Sequence, residues 1–188
     1  MKNYVFRLFL AIMFMNVCTL VANEITLEVR SAAFYHASSR FRGIYGKVSG
    51  CYQLEASTPI TPCLEEWVNF DWFTKRGHSI GLHDPTRVSI INVSWGVKYP
   101  FPVTECISMY AGIGASFSKI WLHNKSEFFH ERVSRLTFGA LLKSGINYHI
   151  SKCFFIDFFA DYLYQPDVYR THVDIGGLKL GVGLGTKF

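Results

Sequence analysis

Apolar residues recur at every second position in eight separate segments of this chain. The clearest is the last, residues 176–188 ("GGLKLGVGLGTKF"). There Leu178, Leu180, Val182, Leu184 and Phe188 share one face, and Gly177, Lys179, Gly181, Gly183, Gly185 and Lys187 share the other. A period of two is that of an extended strand, whose successive side chains point to opposite sides. The same alternation links Ile25, Leu27, Val29, Ala33 and Tyr35; then Val48, Tyr52, Leu54 and Ala56; then Val68, Phe70 and Trp72. It continues through Ile91, Val93, Trp95, Val97 and Tyr99, and through Ile107, Met109, Ala111, Ile113, Ala115 and Phe117. It resumes from Leu136 through Phe138, Ala140, Leu142, Ile146 and Tyr148 to Ile150, and from Phe154 through Ile156, Phe158, Ala160 and Tyr162 to Tyr164. Across all eight segments the apolar face carries no charge. The other face holds Glu28, Arg30, Lys47, Glu55, Asp71, Lys98, Arg135, Lys143, Asp157, Asp161, Lys179 and Lys187.

The connections alternate too. Segments 36–46, 74–86, 118–132 and 165–175 are long or polar, segments 100–105 and 151–153 are short, and 57–65 is marked by prolines. Long and short connections on opposite sides, with strands of about 9–11 residues or more, are the layout of a tilted transmembrane barrel. The pattern therefore predicts an all-β, eight-stranded, antiparallel up-and-down transmembrane β-barrel, with both chain ends on the short-turn side. A soluble lipocalin-like binding barrel shares the period but buries the apolar face. An eight-stranded barrel has room inside only for close-packed side chains or one small ligand. Trp72, Trp95, Phe70, Phe117, Phe138, Phe154, Phe158 and the many Leu, Ile and Val residues overfill that space. The Gly- and Ser-rich face fits it, so the apolar face is expected outward, against lipid.

The first residues change the picture in one respect. Lys2 and Arg7 precede an apolar run, Leu8 to Ala22, that is short for a spanning helix and matches the central region of an export signal. Residues 1–22 are therefore expected to be a cleaved signal peptide and residues 23–188 a single barrel domain. Beyond this segment Lys and Arg only mildly exceed Asp and Glu, with no basic run interleaved with aromatics, so nucleic acid is not an expected partner. Cys51, Cys63, Cys106 and Cys153 show no CxxC or His-spaced metal pattern. No cofactor is expected.

The terminal Phe188, preceded by Leu184, Val182, Leu180 and Leu178, resembles the C-terminal signature of bacterial outer-membrane proteins. With the signal segment, strand count and loop order, the chain resembles small eight-stranded families such as OmpW-like and OmpA-like barrels. That resemblance implies a monomer in the outer membrane of a Gram-negative-type bacterium, with outer-membrane lipids and the barrel-assembly machinery as partners. It implies a non-enzymatic role, structural or at the surface, or a narrow conduit for small apolar molecules. The alternative is a membrane-embedded lipid-modifying enzyme of the lipid A deacylase or acyltransferase type, which uses His with Ser or Asp near the outer rim. His36, His78, His83, His123, His130 and His172 all fall in expected outer segments, with Ser79, Ser89 and Asp84 in the neighbourhood of His83. Proximity along the chain is not a triad.

Arg135, Lys143, Asp157, Asp161 and Lys179 lie on the polar face of three consecutive strands and are expected to form a lumen charge network. If residues 151–153 turn the chain, Lys143 faces Asp161, Asn147 faces Asp157, and Lys179 lies near Asp157. An internal ion-pair plug is expected rather than a selectivity ring. Cys63, Cys106 and Cys153 share the short-turn end, where a Cys63–Cys106 disulfide is the expected pairing. Aromatic residues fall near both ends of the strands, Tyr99, Phe101, Tyr148, Phe154 and Phe188 at one and Tyr35, Phe117, Tyr162 and Tyr164 at the other, as in interfacial girdles.

Overall fold

The computed structural model describes residues 24–78, 85–125, 130–166 and 174–188. The segment expected to be a signal peptide, residues 1–22, lies outside them. Eight strands run in chain order: β1 (Thr26–His36), β2 (Val48–Thr61), β3 (Leu64–His78), β4 (Pro85–Pro102), β5 (Ile107–Lys125), β6 (His130–His149), β7 (Phe154–Tyr164) and β8 (Gly177–Lys187). Each pairs antiparallel with the next, and β8 pairs with β1 to close the barrel. The seam is latched by Ile25 and Phe188, whose backbone groups bond in both directions at 3.3 and 2.9 Å. Closure pairs each strand on both sides over the height that all eight share, where a hydrocarbon environment would penalise an open edge by several kcal/mol per group.

The two faces of each strand divide as the alternation expects. Val29, Leu136 and Leu184 are more than 60% exposed on the outside, whereas Arg30, Lys179 and Asp157 are 1% exposed or less inside. Leu180, Val182 and Phe188 of the C-terminal signature also point outward. The lipocalin-like arrangement, which needs the reverse facing, is thereby overturned.

The outer ends differ from expectation. Segment 118–132, expected to be a loop, is mostly strand: β5 continues to Lys125 and β6 begins at His130. Likewise β3 reaches His78 and β4 starts at Pro85. Strands β4–β6 are therefore 18–20 residues long, against 11 for β1, β7 and β8. The physical reason is a change of surroundings along one ladder. Beyond the apolar band the outward face can be polar, as at Lys119, and the inward face apolar, as at Ile120. The pattern reverses its meaning while backbone pairing continues. Phe117 consequently sits opposite Val93 and Phe138, well inside the wall rather than at its outer border.

On the low side of the rim, the segment after β1 folds into a short helix, α1 (Ser39–Tyr45). Ser38 caps it, accepting a bond from the Phe41 N–H at 3.3 Å, and Gly46 ends it at φ +86°. That φ lies in the region open chiefly to glycine. The spacing of four between Phe41 and Tyr45 turns both rings down into the barrel mouth, where both are buried.

At the opposite end the turns are tight. The β2–β3 turn holds Cys63, the β4–β5 turn ends at Cys106, and the β6–β7 turn ends at Cys153. All three are free thiols, so the expected Cys63–Cys106 disulfide is not formed. These turns are rooted two strand spacings apart, about 10 Å at about 4.8 Å per strand. A disulfide needs Cα atoms within about 7 Å.

Candidate functional site

The lumen is the place where the chain concentrates its chemistry. Among the described residues four cations (Arg30, Lys98, Lys143, Lys179) and five carboxylates (Glu28, Glu55, Asp71, Asp157, Asp161) are buried inside it. They converge because every strand contributes its inward positions to one narrow space. They form two tiers.

The lower tier is built on Arg30 of β1. Its guanidinium donates from Nε and Nη2 to Asp157 Oδ2 at 3.0 and 2.7 Å, and from Nη1 to Glu55 Oε2 at 2.8 Å and Asp161 Oδ2 at 3.3 Å. Nη2 also reaches the Tyr110 hydroxyl at 2.6 Å, on the far wall. The Phe159 ring lies 3.7 Å from the guanidinium carbon. A planar cation with several donors suits such a hub, because one residue answers several carboxylates in fixed directions. Glu55 further accepts from Lys143, and Lys98 approaches it at 3.4 Å. Glu28 and Glu55 stand directly opposite in the β1–β2 register. Like charges in that position repel, and Arg30 and Lys98 are the cations near both.

The upper tier is built on Asp71 of β3. It accepts from Lys179 Nζ at 2.7 Å and from Asn92 Nδ2 at 2.9 Å. Asn92 Oδ1 in turn accepts from the Ser116 and Ser118 hydroxyls at 2.6 and 2.8 Å. Above it the lumen turns apolar. Phe34, Phe41, Tyr45, Phe73, Val88, Ile90, Ile120, Leu163 and Ile175 form a buried cluster. Helix α1 supplies its lid, and the Tyr45 hydroxyl is 3.1 Å from Thr86 Oγ1. Burial pushes the Tyr45 phenol above its ordinary pKa, which keeps the ring neutral in this cluster.

Bulky lumen side chains fit because glycines face them. A Cβ placed on Gly145 would stand 2.5 Å from the Tyr110 hydroxyl, and one on Gly114 would stand 2.6 Å from Trp67 Cζ2. The inward glycines are thus sockets for rings crossing the barrel.

Of the residues singled out from sequence, Lys143, Asp157, Asp161 and Lys179 all lie in this lumen. The β6–β7 register is the expected one, and the position of Lys179 is not. Asn147 does face Asp157 in the β6–β7 register. Lys179, however, stands opposite Asp161, not beside Asp157, and its ammonium bonds Asp71 across the barrel. The β6–β7 register on either side, Leu142 opposite Tyr162 and Gly145 opposite Phe159, aligns Lys143 with Asp161 as expected, while its ammonium binds Glu55. Arg135 is exposed near the outer end of β6, above the buried tiers. Arg30, Glu55 and Tyr110, the centre of the lower tier, were not singled out. Arg30 and Glu55 were visible only as charges on the polar face, and contacts across a lumen do not follow from strand register.

Two Ser–His pairs occur among the described residues. His36 Nε2 lies 2.8 Å from Ser49 Oγ, buried among the rings of Phe34, Phe41 and Phe73. Its Nδ1 has no hydrogen-bond partner among the described residues, so no acid orients it. Ser108 Oγ lies 2.9 Å from His149 Nε2 at the opposite end. Ser79, His83, Asp84 and His172 fall outside the described residues. No group of three His, Cys, Asp or Glu able to hold a metal occurs among those described.

No protein-family model and no curated protein matches this sequence. Solved structures do match its fold. Neisserial surface protein A shares 16% identity at a TM-score of 0.66, over 87% of this chain and 97% of that one. The outer membrane protein OprG from Pseudomonas aeruginosa shares 11% identity at 0.66, over 89% and 96%. Ail, the attachment invasion locus protein of Yersinia pestis, solved with the heparin analogue sucrose octasulfate, shares 16% at 0.56, over 87% and 98%. The chain therefore has the fold of small eight-stranded outer-membrane barrels.

Proposed function

We propose that this protein is an integral outer-membrane barrel with a closed lumen, acting at the cell surface in a structural or adhesive role and not as an enzyme. The observation that carries this reading is the division of the strands: an uncharged apolar band outside, and ion pairs centred on Arg30 inside. A soluble protein seldom exposes so large a continuous apolar surface, whereas a lipid-facing barrel requires it. The fold shared with outer-membrane barrels supports the same location. Two charged tiers under an apolar cap speak against a conduit for apolar molecules. The sealed His36–Ser49 pair, without an acid on its free nitrogen, speaks against hydrolysis at that place.

A specific feature favours the adhesive form. On the tall wall Arg76 and Arg87 stand directly opposite each other on β3 and β4, both exposed. They border an open groove of about 640 Å³ that also includes His78, Thr86 and Ser89. Two like charges in direct register favour an anion between them, and the related fold of Ail has been solved with a polysulfated sugar.

The test of location is extraction of isolated outer membranes with carbonate or urea. The folded chain is expected to stay with the membrane and to migrate faster unboiled than boiled on a denaturing gel. Recovery as a soluble periplasmic monomer would overturn the reading. For the adhesive form, retention on immobilised heparin is expected to fall when Arg76 and Arg87 are both changed to Ala. Unchanged retention would remove it.

A further inference from the structure

Every described turn at the lower end of the barrel carries one cysteine, and all three thiols are exposed and free: Cys63, Cys106 and Cys153. The remaining described cysteine, Cys51, is buried inside the wall, 3.9 Å from Asp71, and is out of their reach. The backbones of the three turns are fixed. Cys63 N–H bonds Thr61 Oγ1 at 3.4 Å, and Cys153 N–H bonds Ser151 Oγ at 3.3 Å. The carbonyls of Cys106 and Cys153 each accept a backbone bond at 2.8 Å, from His149 and Lys187.

Geometry disfavours pairing within one chain. Successive turns are rooted about 10 Å apart, two strand spacings, beyond the about 7 Å a disulfide spans. Pinned backbones do not close that gap. Three is also an odd number, so at least one accessible thiol remains whatever pairs internally. In a ring of eight strands, turns two strands apart sit at successive quarter-turns. The fourth quarter is occupied by the latched ends Ile25 and Phe188.

We propose that Cys63, Cys106 and Cys153 are sites of disulfide linkage between complete copies of this barrel lying side by side in the membrane. The proposal rests on the outer-membrane reading, which puts these turns in an oxidising compartment. A second copy is the occupant that fits. Barrels inserted in one membrane share axis direction and depth, so their turns stand at one height. The flanks beside the turns are apolar, with Ile60, Val103, Ile150 and Phe154 each more than half exposed. Three links at quarter-turns produce a branched array in the membrane plane rather than a closed ring.

The chemistry balances with a dithiol oxidoreductase in its disulfide form as oxidant. A cysteine thiolate attacks that disulfide, forming a mixed disulfide and releasing one oxidoreductase thiolate. The thiolate of the neighbouring barrel then attacks the barrel-side sulfur and expels the second. Two S–H bonds are lost, one S–S bond forms, two protons pass to solvent, and the electron pair reduces the oxidoreductase.

The test is a non-reducing gel of outer membranes from cells lysed into N-ethylmaleimide, which blocks later exchange. The wild type is expected to give a ladder of whole-chain multiples that collapses to monomer with dithiothreitol. Variants with two of the three cysteines changed to Ser are expected to stop at dimer. The triple variant C63S/C106S/C153S is expected to run as monomer while keeping its unboiled fast migration, which shows that the barrel still folds. A wild type found only as monomer in the outer membrane, or linked bands at masses other than whole multiples, would overturn the proposal. Absence of both wild type and triple variant from the outer-membrane fraction would instead overturn the reading of location, and the linkage with it.

Discussion

Arg30 on β1 grips Asp157 on β7 with two nitrogens on one carboxylate oxygen, at 3.0 and 2.7 Å, although β8 lies between their strands. Gly183 on β8 makes this possible: a Cβ there would stand 2.9 Å from Arg30 Cγ. Gly183 stands opposite Arg30 in the β1–β8 register and opposite Asp157 in the β7–β8 register, so the side chain passes directly over it.

Loss of this hub is the first expected weakness. Arg30→Met leaves three buried cations facing five carboxylates, and removing one partner of a dry ion pair costs about 3–5 kcal/mol. The urea midpoint of the refolded barrel, read by the fast-migrating band, is expected to drop accordingly. Arg30→Lys is expected to recover only part of it, because an ammonium cannot hold Asp157 with two nitrogens and still reach Glu55 and Tyr110.

A ring and its socket give a second outcome. In Gly145→Ala the new methyl meets the Tyr110 ring, which must move and surrender its bond to Arg30. Overpacking of this kind costs about 1–3 kcal/mol. Adding Tyr110→Leu is expected to relieve the collision, so the double variant loses less than the sum of the singles in the same urea titration. Strict additivity would show that the two positions do not meet.

How much of this was legible follows from the strand period. Leu178, Leu180, Val182 and Leu184 read as an outward face because alternation and absence of charge are local properties. Asn147 opposite Asp157 was also legible, since a three-residue turn fixes the register of β6 on β7. Lys179 was misplaced because the β7–β8 connection is long, and its length leaves the register open. The Arg30–Tyr110 contact was illegible for another reason: it joins opposite walls, and only closure of the ring brings them together. The tall β5–β6 hairpin was hidden where the inward face changes from charged to apolar, as between Lys143 and Leu141 on β6, while the strand itself continues.

The Asp71–Lys179 pair offers a charge reversal. Asp71→Lys alone sets two ammonium groups together in a dry space, and Lys179→Asp sets two carboxylates there. Each single variant is expected to lose about 3–5 kcal/mol. The double reversal is expected to restore part of this, and not all, because Asn92 Nδ2 then loses Asp71 as an acceptor and keeps only Ser94 Oγ. A double variant no better than the worse single would disprove direct pairing. The equivalent swap of Lys143 with Asp161 is expected to restore little, since Lys143 binds Glu55 and Asp161 binds Arg30.

The outer face is tested by placing charge on it. Val93→Arg and Phe158→Arg are each expected to cost about 2–4 kcal/mol in lipid, the penalty for a guanidinium near mid-bilayer. The folded fraction in lipid vesicles, read from the unboiled gel, reports it. Stability unchanged by both substitutions would mean that this face meets water.

Planar-bilayer recording of the purified wild-type barrel tests the closed lumen most directly. Arg30, bonded to Asp157, Glu55 and Asp161, and the ring cluster of Phe34, Phe41 and Phe73 above are the proposed barrier to ions. The expected result is insertion without a steady single-channel conductance, in either polarity. A stable, ion-selective conductance through the wild type, shifted by Asp161→Ala while the barrel stays folded, would contradict the plug and make the same charges a selectivity ring.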